Sequence, residues 1–405
     1  MLSITAAQIR SVYDRFDDES IVQHTPVETS RSLSRLVDGD VILKMEHLQR
    51  TGSFKTRGAY NKMLSLEGGS DIDRVVAASA GNHAQGVALA ANSRGVPSTI
   101  VMPATAPQSK VEATDEYGAD VVLHGTTFRD AMAHARSLTD EGVEFVHAFD
   151  DPAIIAGQGT LGLELLEDVP DVDTVVVPIG GGGLIAGVGA ALADHRPDIR
   201  VIGVQADSAA TVPESLQKGM PESLEDVDTI ADGIATGEVS DLTLELIDEH
   251  VDEIVTVTEE EIARGILLLL ERAKQLVEGA GAASVAAILS DEVDVSGETV
   301  VPVLTGGNLD MTMLRAILTH ELTSRSQMIR LQVRIDDQPG EMHTLSGLIA
   351  DKGANIRTVN HYRADETLDV GEAYLVFLVE TSGEEHAERI TDAIEATGYA
   401  VERIN

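Results

Sequence analysis

An α/β fold built on open parallel sheets, followed by a small ferredoxin-like α+β unit, is the class this sequence predicts. The first sign is a set of short Val- and Ile-rich runs at residues 75–79, 98–102, 120–123, 174–178, 200–205 and 299–304. They lack the polar alternation of a half-exposed strand, as parallel strands buried on both faces do. The second sign is what separates them: residues 84–93, 108–117, 128–139, 183–193 and 259–278 read as helices, and such alternation argues for a layered sheet with right-handed crossovers. The third is a change of pattern near 321–328. Strand 328–335, helix 342–351, strands 355–363 and 373–380, helix 384–397 and strand 401–404 give the order βαββαβ, a unit that closes on itself. The expected domains are therefore 1–325 and 326–405.

Composition narrows the function classes. The 405 residues include 43% apolar ones, enough for a sizeable core, and no cysteine, which excludes disulfides, thiolate metal sites and thiol nucleophiles. Residues 1–10 contain no export pattern, and no run reaches the ~20 apolar residues of a membrane span, so a cytoplasmic protein is expected. The formal net charge of −39 argues against nucleic acid or an anionic membrane as partner. Scarce lysine and abundant Asp and Glu resemble a protein of a salt-rich cytoplasm, a halophilic trait, since the Debye length shrinks to ~3 Å at 1 M salt.

Four short segments carry chemistry. Residues 53–58 read Ser-Phe-Lys-Thr-Arg-Gly and place Lys55, one of seven lysines, among small and apolar neighbours. A lysine partly removed from water yields its free amine more readily, and that amine can form a Schiff base with a carbonyl; the plain alternative is a helix-start lysine in solvent. After the strand at 174–178, Gly180, Gly181, Gly182 and Gly183 precede a small-residue helix. Converging backbone N–H groups there suit a phosphate; the alternative is a tight turn. Residues 79–86 (SAGNHAQG) and 304–308 (LTGGN) are further polar loops between strand and helix, where open α/β sheets place ligand groups. Within the first, His83 reads as a capping or structural residue before a general base. A nucleotide-dependent oxidoreductase would need a Gly-x-Gly-x-x-Gly fingerprint with its acidic partner, which the chain lacks, and would leave Lys55 unexplained; a third reading is a non-catalytic amino-acid sensor, its small unit binding ligand and its large one retaining only a fold.

Taken together and in order, residues 53–59 (SFKTRGA), 79–86, 180–187 (GGGGLIAG) and 305–308 (TGGN) resemble the threonine and serine dehydratases of the tryptophan-synthase-β-like pyridoxal-phosphate enzymes. The resemblance covers about residues 20–320 and implies a two-lobed catalytic domain of open parallel sheets. It implies pyridoxal 5′-phosphate bound covalently to Lys55, with Phe54 beside it, and Asn82 on the cofactor's 3′ oxygen. Gly180, Gly181, Gly182, Gly183 and Leu184 would hold the phosphate, and Thr305 would meet the pyridine nitrogen. Ser79 would bind the substrate carboxylate; Arg129 is a second candidate, equally well read as a surface residue. Glu278 is read equally as a wall of the site or a residue outside it, and Arg57 as a structural partner of an acid.

The implied reaction is α,β-elimination of L-threonine to 2-oxobutanoate and ammonia, or of L-serine to pyruvate, as the first step of isoleucine biosynthesis; the alternative is a serine dehydratase or racemase of the same family. Racemases of this kind carry a second serine where this chain has Ala80, and metal-binding carboxylates where it has Gln205 and Thr211, so no metal is expected. The C-terminal unit resembles an ACT regulatory domain, with residues 337–340 (DQPG) as its first turn. That implies feedback by isoleucine or valine, with Asn355 and Ile356 at the ligand edge, and pairing of chains into a homodimer or homotetramer.

Overall fold

The computed structural model describes residues 4–16, 20–66, 72–224 and 226–404. Contacts divide the chain into two compact units, Met1–Leu309 and Asp310–Asn405. The helix Met311–Ser324, which the sequence reading assigns to the first domain, groups with the second unit.

The first unit contains two sheets. The smaller runs in the order Asp120–Leu123, Ser98–Met102, Arg74–Ala78, Val143–Phe145, with every neighbour parallel. The larger runs Val27–Thr29, Asp40–Lys44, Thr299–Pro302, Thr174–Pro178, Arg200–Ala206, Glu253–Val257, and only its first pair is antiparallel. Ser98–Met102 and Thr174–Pro178 are buried at every position, which explains why, after the polar residues that start them, their sequences run apolar rather than alternating. Each sheet has its own core, one around Val75, Ile100 and Val87 and the other around Val175, Ile185 and Val301.

Glycines set the spacing between the two. In the helix Pro152–Asp168, a Cβ on Gly157 would fall 2.6 Å from the Cα of Gly58 in the helix Lys55–Leu66. On another side, a Cβ on Gly187 in the helix Gly183–Ala193 would fall 2.4 Å from the carbonyl oxygen of Ile155. Backbones this close leave no room for a side chain. The long helix thus holds the lysine-bearing helix and the glycine-loop helix at fixed distances.

Two features depart from the sequence reading. The helix expected over 259–278 ends early: Glu259–Leu268 widens into a π-turn at Leu269–Ala273, stops at Lys274 in the left-handed conformation, and a new helix starts at Gly279–Leu289. No glycine or proline marks that break. Conversely, Pro152–Asp168 forms a helix despite three internal glycines, started by Pro152 at its first position and the Asp151 side chain accepting from Ala153 and Ile154 N–H.

The second unit has an antiparallel sheet in the order Asn355–Tyr362, Glu372–Glu380, Met328–Asp336, Ala400–Ile404. Burial alternates along Met328–Asp336, and Leu331, Val333, Phe377, Leu345 and Ile390 form a core between that face and the helices Glu341–Asp351 and Glu384–Glu395. This is the expected βαββαβ order, with element ends shifted by a residue or two.

Candidate active site

Strand C-termini of both sheets in the first unit open onto one cavity of about 360 Å³, within the size range of small-molecule sites. Phe54, Lys55, Ser79, Asn82, Gly180, Gly181, Gly182, Gly183, Leu184 and Thr305 all line it. Residues far apart in the sequence thus converge. Arg129 stands exposed on the helix Phe128–Ser137 and is not among the lining residues, whereas its neighbour Phe128 is.

Lys55 begins its helix, and the preceding segment is zipped to the 305–307 loop: Phe54 N–H donates to Thr305 O, Gly307 N–H to Gly52 O, and Ser53 bridges Gly306. The Lys55 ammonium donates to Ala148 O at 3.2 Å and lies 5.0 Å from the Phe54 ring centre. Among the described residues no carboxylate is within ion-pair distance of it. Burial lowers its pKa from the usual lysine value to about 8, against the opposing pull of Glu278. Two residues on, Arg57 is wholly buried and forks onto two carboxylates: Nε and Nη2 to Glu46 at 2.7 and 2.8 Å, Nη1 and Nη2 to Glu164 at 2.7 and 2.8 Å. Lys44 completes the cluster through Glu164 and Asp168 at 2.9 and 2.8 Å. Arg57 is thus the root that holds Lys55's helix in place; it does not line the cavity.

The glycine loop is shaped by its neighbours. A Cβ on Gly181 would lie 2.1 Å from the Phe149 ring, and one on Gly180 3.1 Å from Ile234 Cα, while Gly182 has φ +87° and caps the helix Gly183–Ala193. Bare backbone N–H groups at a helix start, walled by apolar side chains, form an anion cradle. On the opposite side, Ser79 Oγ accepts from Gly81 N–H at 3.1 Å, leaving its own proton for a ligand. His83 Nε2 donates to Val146 O at 3.0 Å, and burial beside Lys55 pushes its pKa down to about 3. It is a neutral anchor, too weak a base to take a proton near neutrality.

Several wall residues escaped the sequence reading. His147, Ala148 and Phe149 follow a strand too short to stand out, and residues 232–236 lie in an irregular stretch. Lys110 pairs with Asp232 at 3.3 Å from the other side of the cavity. Glu278, which the sequence left open as wall or outsider, is buried in the wall, its pKa raised to about 7 by burial, and it accepts from Asn82 Nδ2 at 2.7 Å. Gln205 Oε1 accepts from the N–H groups of Thr211 and Val212, and among the described residues no group of three or more His, Cys, Asp or Glu could hold a metal.

A buried amine of lowered pKa, a glycine cradle for an anion and a neutral hydroxyl at Thr305, all facing one largely apolar slot, fit an aldehyde cofactor with a phosphate tail. The fold and site are those of a pyridoxal-phosphate enzyme of the tryptophan-synthase-β-like kind. The chain belongs to the pyridoxal-phosphate dependent enzyme family, whose model matches residues 19–306, and it carries an ACT domain matched over residues 329–398. It is similar to the L-threonine ammonia-lyase of Thermotoga maritima, 47% identical over 95% of this chain and 96% of the relative, and to that of Geobacter sulfurreducens, 44% identical over 94% and 95%. Among solved structures it resembles threonine deaminase isoform 2 from Solanum lycopersicum (TM-score 0.73, 37% identical, covering 78% of this chain and 86% of that one). It also resembles maize serine racemase (TM-score 0.73, 34% identical, covering 80% and 99%).

Proposed function

We propose that this chain deaminates L-threonine to 2-oxobutanoate and ammonia by α,β-elimination, with L-serine as a second substrate giving pyruvate. The observation that carries the reading is the juxtaposition of Lys55 with the four-glycine cradle in one cavity, together with similarity along nearly the whole chain to two threonine ammonia-lyases.

Pyridoxal phosphate, when bound, supplies an electron sink for the charge released at Cα. The protein's own residues then divide the work. Lys55 would hold the cofactor covalently, and its amine, when free, would take the Cα proton, a task suited to a pKa brought down to about 8. Gly180, Gly181, Gly182, Gly183 and Leu184 hold the phosphate, Asn82 the ring oxygen, and Phe54 flanks Lys55. Thr305 lines the cavity with a neutral hydroxyl, the group that would meet the cofactor's ring nitrogen in place of a carboxylate. Ser79 and the N–H groups at the start of the helix Asn82–Ser93 receive the substrate carboxylate. Ala80 lines the cavity where the racemase pattern has a serine, leaving no hydroxyl there to reprotonate the opposite face.

In this reading the first unit is catalytic, and the C-terminal ACT domain binds isoleucine or valine near Asn355 and Ile356, giving feedback suited to isoleucine biosynthesis in a cytoplasmic homodimer or homotetramer. Among the described residues no helix is long and apolar enough to cross a membrane. The test is a keto-acid assay on L-threonine and L-serine with and without isoleucine. 2-Oxobutanoate from threonine, reduced by isoleucine, is expected; D-serine from L-serine in place of keto acid would favour the racemase reading.

A further inference from the structure

Two side chains of the cavity wall, Asn82 and Glu278, and the exposed Asn308 behind them form a chain of hydrogen bonds whose direction is fixed by the backbone. Asn308 Nδ2 donates to Thr51 O at 2.7 Å and to Asn82 Oδ1 at 2.8 Å; Asn82 Nδ2 in turn donates to Glu278 Oε1 at 2.7 Å. A backbone carbonyl can only accept, so Thr51 forces Asn308 to present its NH₂ group. That group lies 2.8 Å from the Asn82 amide, where two donors cannot face each other, so Asn82 presents its oxygen there and turns its NH₂ toward Glu278. Glu278 also accepts the Asn308 backbone N–H, closing the circuit. The space is tight: a Cβ on Gly306 would lie 2.2 Å from Glu278 Oε1 and 3.1 Å from Asn82 Nδ2, and one on Gly52 would lie 2.5 Å from Asn308 Oδ1. An amide has two N–H donors, and among the described residues Asn82 spends one of them, on Glu278.

We propose that Glu278 and Asn308 are positioning residues that hold the Asn82 amide with its remaining N–H toward the cavity, so that this wall is a hydrogen-bond donor selecting a ring oxygen in its deprotonated form. This rests on the reading that Asn82 faces the cofactor's ring oxygen. Neither residue need touch the substrate; both act through Asn82. A flipped amide would turn the same wall into an acceptor, which only a protonated ring oxygen could meet.

Asn308→Asp in the full chain tests this, because it keeps the shape while removing both donated hydrogens. The readouts are pyridoxal-phosphate affinity of the apoprotein and the visible spectrum after reconstitution. The expected result is an affinity about tenfold weaker, the effect of one lost charge-assisted hydrogen bond, with absorption moving from the yellow band toward the near ultraviolet as the ring oxygen becomes protonated. Should that variant fail to fold by circular dichroism, Glu278→Gln, which keeps one acceptor, carries the test with a weaker effect of the same two kinds. Wild-type affinity and spectrum in the folded variants would overturn the inference, as would weaker binding with an unmoved spectrum. Asn82→Ala separates the levels: if it too leaves affinity and spectrum unchanged, the Asn82 reading and the inference fall together. If the wild-type apoprotein takes up no pyridoxal phosphate, the proposed function itself fails.

Discussion

Replacing Lys55 by methionine should stabilise the protein in its cofactor-free form. Lys55 ionises near pH 8 in the folded chain because burial strips water from its ammonium, whereas an unfolded lysine ionises near ~10.4. A lysine whose pKa is lower in the folded state opposes folding where it must be charged in both states: fully below pH 8, less as pH rises toward 10, and not at all above both values. The difference corresponds to at most about 3 kcal/mol at pH 7 and to about 1 kcal/mol at pH 10. It is an upper bound, since the cavity admits water. Losing the hydrogen bond to Ala148 offsets about 1 kcal/mol. The Lys55→Met apoprotein should therefore be about 2 kcal/mol more stable at pH 7 and indistinguishable from wild type at pH 10. Urea unfolding of both apoproteins by circular dichroism, in one concentrated KCl buffer at each pH, measures this. A variant no more stable at pH 7, or a gain that grows with pH, would refute the account of Lys55 as a desolvated amine.

Other outcomes follow from the same geometry. Gly181→Ala drives a methyl group into the Phe149 ring and should weaken pyridoxal-phosphate binding by about tenfold to a hundredfold, the range of an overpacked contact; an unchanged titration of the apoprotein would count against the cradle. Glu164→Leu removes a carboxylate shared by Arg57 and Lys44 and should cost about 3–5 kcal/mol, the usual effect of breaking a buried ion pair, so an unmoved urea midpoint would contradict the anchoring role given to Arg57. Dilution from molar to millimolar salt should lower the melting temperature, because a net charge of −39 repels itself once screening is lost; a flat melting curve would dismiss the halophilic reading.

Some of this was legible in the sequence because glycines and polar residues sit where a parallel strand hands over to a helix. The loops at 79–82, 180–183 and 305–308 each follow such a strand, and topology alone brings strand C-termini to one edge. What escaped depends on pairings that sequence spacing does not encode. Lys110 and Asp232 are 122 positions apart, and the helix break at Lys274, whose left-handed backbone has no glycine to announce it, is what the even reading of Glu278 as wall or outsider could not resolve. The helix Pro152–Asp168 was not assigned from the sequence; its Gly157, Gly159 and Gly162, poor helix formers by themselves, are points of close helix contact. Arg57 read as a structural partner of one acid; the structure gives it two, Glu46 and Glu164, from opposite directions.

The most direct test of the central claim is to reduce the reconstituted protein with borohydride and map the modified peptide by mass spectrometry. The account predicts loss of the yellow colour and a single pyridoxyl adduct on Lys55, out of the seven lysines in the chain. An adduct on any other lysine, or none at all, would contradict it.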